Sequence, residues 1–183
     1  GSEMCIRDRA KDVPRPERLF LRSAPIPPPV IFNQGNIMDK IKLELLRDVE
    51  GYIPPLIPVT EDDKSIIISR IFPALDVKDE IAICRQIDSW AFITPIYIID
   101  YRNDEDWRFD FHQLLLKEKL SICDYVYISY DSFREIDKVS LSEFCKKFIY
   151  YWYPVADDVE IVADDFSWKM LLCHAGCIHL VRT

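Results

Sequence analysis

A chain of 183 residues with 49% hydrophobic and 30% charged side chains has globular composition and enough length to bury a core without staples. Its formal charge of -8 disfavours nucleic acid and anionic membrane as partners, because binding phosphates needs a basic surface. No uninterrupted apolar run approaches a membrane span, and with four glycines, two of them before Met38, a phosphate-cradling loop is nearly excluded.

Residues 1 to 9, Gly-Ser-Glu-Met-Cys-Ile-Arg-Asp-Arg, resemble the in-frame translation of a transposon-end sequencing adapter. The resemblance implies a chain read from shotgun DNA, expected to be metagenomic, with a native start further on. Six of the 12 prolines, Pro14, Pro16, Pro25, Pro27, Pro28 and Pro29, precede Met38, and proline neither donates to a ladder nor leaves its predecessor free. Residues 1–37 are therefore expected to be a non-native or disordered Pro-rich leader, and 38–183 a single globular α+β domain. The leader holds six basic and four acidic side chains, a balance of +2 that leaves -10 for the remainder. Such acidity favours a basic protein as partner.

Beyond Met38, Ile41, Leu45, Leu46 and Val49 share a helical face over Asp39 to Val49, and Gly51 stops it. The acidic cluster Glu61-Asp62-Asp63 follows, and the β-branched run Ser65 to Phe72 reads as a strand. Asp76 is expected to cap a helix through Val77, Ile81, Cys84 and Ile87. Ile96 to Asp100 reads as a central strand, with Pro95 at its start. Asn103 is expected to cap a helix in which Trp107, Phe111, Leu114 and Leu115 share a face. Tyr125 to Tyr130 alternates as a strand, Tyr125, Tyr127 and Ser129 on one side and Val126, Ile128 and Tyr130 on the other. Ser140 and Glu143 form a capping box opening a helix with the stripe Leu141, Phe144, Cys145, Phe148 and Trp152, which Pro154 ends. A strand Val159 to Ala163 follows, then a hairpin of Trp168 to His174 and Cys177 to Arg182 about Ala175-Gly176. This order predicts an α+β (mixed α/β) fold: a sheet with packed helices and a C-terminal β-hairpin.

Five cysteines remain beyond Cys5, namely Cys84, Cys123, Cys145, Cys173 and Cys177, an odd and scattered set that suits reduced thiols in the cytoplasm. Cys173-His174-Ala175-Gly176-Cys177-Ile178-His179 is the densest cluster of potential ligands. A two-residue loop would place His174, Cys177 and His179 on one face and Cys173 on the other, leaving a fourth ligand unnamed. These three are weak metal candidates, so no stoichiometric zinc and no cofactor is expected. Asp157-Asp158 and Asp164-Asp165 flank a strand, where adjacent carboxylates point to opposite sides, and the pairs read better as solvated strand ends than as a magnesium site. His112 with Asp110, and Ser167 near Asp165, match no known catalytic elbow, so no catalytic residue is assigned. Tyr150, Tyr151 and Tyr153 cannot all face the core beside Trp152, which makes Tyr151 and Tyr153 candidate interface anchors. With them, Asp62, Asp63, Asp157, Asp158, Asp164 and Asp165 form the expected partner-binding set.

Tyr153-Pro154-Val155-Ala156-Asp157-Asp158, then Trp168 and His174-Ala175-Gly176, resemble the ending of small uncharacterised bacterial proteins, some of them immunity proteins of toxin systems. The match covers about the last fifth of the chain, and Ala175 departs from the acidic residue of that pattern. It implies a small bacterial protein without known enzymology. The acidic charge and the lack of a catalytic motif add the expectation of a non-enzymatic acidic protein-binding module of the immunity type, neutralising a basic toxin. The alternatives are a small metal-dependent enzyme using the hairpin or the paired aspartates, and a structural or regulatory bacterial domain.

Overall fold

The structure, a computed structural model, describes residues 43, 44, 46–48, 51–99, 109–154 and 156–182. Within them the chain runs β1 (Ile57–Pro58), α1 (Glu61–Ile71), α2 (Glu80–Trp90), β2 (Tyr97–Ile98), α3 (Phe111–Lys117), β3 (Tyr125–Ser129), β4 (Asp137–Ser140), α4 (Leu141–Lys146), α5 (Phe148–Tyr151), β5 (Val159–Ala163), β6 (Trp168–Leu172) and β7 (Cys177–Arg182). The seven strands form one sheet in the order β1-β4-β3-β5-β6-β7-β2, antiparallel at every pairing. The fold is α+β, ending in a β-hairpin. The expected leader over 1–37 lies outside the described residues, as do Ile41, Leu45, Val49, Asn103 and Trp107.

Helices cover both faces of the sheet. Alternate residues Val159, Ile161 and Ala163 of β5 join a core with Phe111, Leu114 and Leu115 of α3, Phe144 of α4 and Phe148 of α5. On the other face Val162 and Leu171 meet Ile67, Ile68 and Ile71 of α1 and Ile83, Ile87 and Trp90 of α2. β5 and β6 sit at the middle and are buried at every position, which hides the two-residue alternation that a one-sided antiparallel strand would carry. The alternation expected for β3 is present, with Val126 and Ile128 toward the first core and Tyr127 toward the second.

The run Ser65 to Phe72 is helical to Ile71, a correction to the expected strand. Thr60 caps α1 by accepting from the Asp63 amide at 3.2 Å, and Glu61, Asp62 and Asp63 occupy the helix's positive start. Ile67, Ile68 and Ile71 then fall on one buried face, so packing overrides the strand preference of the isoleucines. Asp79, not Asp76, caps α2, accepting from the Ala82 amide at 3.0 Å, and this turns Ile83 inward and Ile81 outward. β2 is an edge, not a central strand, because it pairs with β7 alone. Ser140 accepts from the Glu143 amide at 3.2 Å, as a capping box requires, while the Glu143 carboxylate accepts from the Tyr52 hydroxyl at 2.7 Å. The expected long helix breaks at Lys147 into α4 and α5. Among the described residues no helix is long and apolar enough to cross a membrane.

Candidate functional site

β1 lies at one edge of the sheet, pairing Ile57 with Lys138 and Pro58 with Asp137. An edge tolerates Pro58, which has no amide proton to offer. Between β1, α1 and the exposed margin of the sheet runs a groove of about 400 Å³, lined by Ile57, Ile66, Tyr127 and Phe166 among others. Asp63 and Asp164 line it too, and with them Arg70 and Lys138. The two cations lie over aromatic rings, Arg70 at 5.1 Å from the Phe166 centroid and Lys138 at 4.2 Å from that of Tyr125. Ile57 and Ile66 are both more than half exposed. The groove thus combines apolar walls, aromatic faces and two carboxylates that, among the described residues, enter no ion pair.

Asp63 and Asp164 come from two separate acidic clusters, and the fold brings them to one groove. Asp62 is exposed beside them on α1. Asp165 is largely occupied in its own turn: burial alone would raise its pKa, but hydrogen bonds from Ser167 and Ser121 outweigh this and lower it. Asp157 and Asp158 lie at the far end of β5, a five-residue strand away. That separation, about 15 Å or more, keeps the two aspartate pairs from sharing an ion. Asp157 accepts from the Tyr153 amide at 2.8 Å and folds the turn after α5. Asp158 accepts from the His174 amide at 2.7 Å and sits 3.0 Å from that residue's Nδ1.

Tyr151 is not an exposed anchor, a correction to the sequence expectation. Its ring is fully buried against Phe144, and its hydroxyl lies 3.1 Å from that of Tyr52. Tyr151 stands three residues after Phe148 and seven after Phe144, so helical spacing puts it on the stripe begun by Leu141 and Phe144. Tyr153 stays about half exposed. Asp110 is a helix cap, accepting from the Gln113 amide at 3.1 Å.

The terminal hairpin has a different register from the one its sequence suggests. Leu172 pairs with Ile178 and Leu171 with His179, while the Cys173 amide donates to the Cys177 carbonyl at 2.9 Å. The loop is thus His174 to Gly176, closed by the Gly176 amide on the Cys173 carbonyl and by Gly176 at φ +80. A turn followed by a left-handed glycine is a favoured three-residue connection, and moving one residue of register moves side chains to the other face. Cys173 therefore joins Cys177 and His179, and His174 leaves them for Asp158. The two sulfurs and a ring nitrogen of His179 all lie within 4.8 Å of one another. His179 is buried, with Nδ1 2.6 Å from the Ile93 carbonyl oxygen.

No family model, curated protein or solved structure matches the chain.

Sequence reasoning missed Lys138, Arg70, Tyr127 and Phe166 as neighbours because β4 went unrecognised and α1 was read as a strand. Four residues, Asp-Lys-Val-Ser, carry little strand signal by themselves. Cys173 could be placed beside Cys177 only through the loop length, for which Gly176 at the third position is the available clue.

Proposed function

We propose that the chain is a non-enzymatic, cytoplasmic, acidic protein-binding module that docks a basic segment of a partner protein in the groove between β1 and α1. The immunity-type role, occupation of a basic site on a toxin, is the finer form of this reading and draws on the resemblance of the C-terminal residues. The observation that carries it is the convergence of Asp63 and Asp164 on a groove walled by Ile57, Ile66, Tyr127 and Phe166. Carboxylates at an apolar, aromatic concavity suit a lysine or arginine flanked by apolar side chains, since stem and charge both find a counterpart. Nucleic acid is disfavoured by the same charge.

The test is co-expression of the full chain with the product of the neighbouring gene, followed by binding measurements on Asp63→Asn/Asp164→Asn. Asparagine keeps the hydrogen-bonding capacity of the α1 cap while removing both charges. The double variant should fold normally and bind at least tenfold more weakly. Unchanged affinity would rule out the groove as the docking surface, and recovery of nucleic acid or small molecules in place of a basic protein would overturn the module reading.

A further inference from the structure

We propose that the terminal hairpin binds one zinc ion through Cys173, Cys177 and His179. Cys173 and Cys177 stand opposite each other beside the turn, and His179 follows Cys177 by two residues on the same sheet face. Their donor atoms all lie within 4.8 Å of one another. Tetrahedral zinc, with bonds of about 2.3 Å to sulfur and about 2.0 Å to nitrogen, needs donors about 3.5 to 3.8 Å apart. The remaining closure of about 1 Å is within reach of side-chain rotation at two half-buried cysteines.

The histidine is already oriented. Donation from Nδ1 to the Ile93 carbonyl fixes the tautomer that leaves Nε2 with its lone pair, the arrangement that outer hydrogen bonds impose on metal-bound imidazoles. The turn is held as well, the Ile99 amide donating to the Gly176 carbonyl at 2.8 Å, and a side chain at 176 would meet the Ile99 carbonyl oxygen at 2.5 Å. Two thiolates and an imidazole form a soft donor set that selects zinc over magnesium or calcium. Binding converts both thiols to thiolates and releases their protons to solvent, leaving the ion coordinated by S, S and N. A water completes the fourth position on the exposed side. Cys84, Cys123 and Cys145 belong to no such group among the described residues and serve as internal controls.

The experiment uses the full chain, reduced and purified without chelator, titrated with Zn²⁺ against a chromophoric chelator and separately with Co²⁺. One ion per chain is expected, with thiolate-to-cobalt charge-transfer absorption, and zinc should raise Tm because it binds the folded hairpin. Cys173→Ser and Cys177→Ser should each weaken binding tenfold or more, and Cys145→Ser should not. His179 is buried, so its replacement risks misfolding, whereas both cysteines are partly exposed and their serine variants keep the fold testable. A reduced chain that takes up no cobalt, or a Cys173→Ser variant that takes up as much as the parent, would overturn the site. Neither result bears on the groove, which lies at the other edge of the sheet.

Discussion

Glu160 places a carboxyl group on the sheet face beneath α1 and α2, with 3% of its surface exposed. Burial pushes its pKa up to about 8, against hydrogen bonds from Ser129 and the Ser132 amide that favour the charged form. The group therefore folds as the neutral acid. Its ordinary value is 4.5, so the folded value is the raised one, and the stability it confers is complete below about pH 4.5 and lost as pH rises to about 8. Glu160→Gln keeps the shape and removes the titration. Tm of the variant should match the parent near pH 4.5 and exceed it at pH 8 to 9, a gap worth a few kcal/mol at most. Parallel pH profiles for the two proteins would mean that Glu160 ionises freely in the fold. Lys169 is a second polar side chain on this face, and it donates to the Ile71 carbonyl at 2.9 Å, so its head group stays satisfied under the helix. Burial lowers its pKa. Neither residue could be assigned from sequence, because Glu160 and Lys169 in short apolar strands look like the solvent face of a one-sided sheet.

At the scale of elements, α1 decides how the groove is made. Three consecutive isoleucines, Ile66 to Ile68, prefer an extended chain, and the helix forms because the Thr60 hydroxyl accepts from the Asp63 amide and donates to the Asp63 carboxylate, and the buried face supplies the rest. Thr60→Ala should remove the acceptor for the Asp63 amide, cost about 1 kcal/mol and lower Tm by about 2 to 4 °C. An unchanged Tm would show that packing of Ile67, Ile68 and Ile71 holds the helix without its cap. β3, with strict alternation, was legible in sequence because its signals agree, whereas α3 was legible only in the shared face of Phe111, Leu114 and Leu115. Phe109 and Asp110 are not helical, and Asp110, not Asn103, caps the helix. Misread elements were those where two signals conflict or where length is too short to show a period. α1 has a strand-forming composition with a helix start, and β4 has four residues. The hairpin failed differently: both strands were placed, and one residue of loop length exchanged His174 for Cys173 in the cluster.

At the scale of the whole chain, fold class was legible from the order of helices and strands, but strand order was not. β5 and β6 take the centre because both their faces are apolar enough to be covered, which leaves the two-residue strands β1 and β2 as edges. Short edges limit unwanted pairing with other chains, so recognition has to come from side chains and charge. On the proposed reading, the formal charge of -8 would act before contact, drawing a basic partner over distances that salt shortens to about 8 Å at physiological ionic strength. Docking itself would depend on close contact in the groove, where apolar walls are little affected by salt. The contacts of Asp63 and Asp164 there would be too short for ions to screen as they screen the long-range field. Raising ionic strength from about 0.05 to 0.5 M should therefore slow association with the basic partner by tenfold or more. Dissociation should change by less than about twofold over the same range. Asp62→Asn, which removes an exposed charge outside the groove lining, should reduce the on-rate modestly and leave the off-rate alone. Stopped-flow kinetics at two salt concentrations read both rates directly. A salt effect confined to the off-rate would contradict long-range steering by the acidic surface and leave only the groove charges to act.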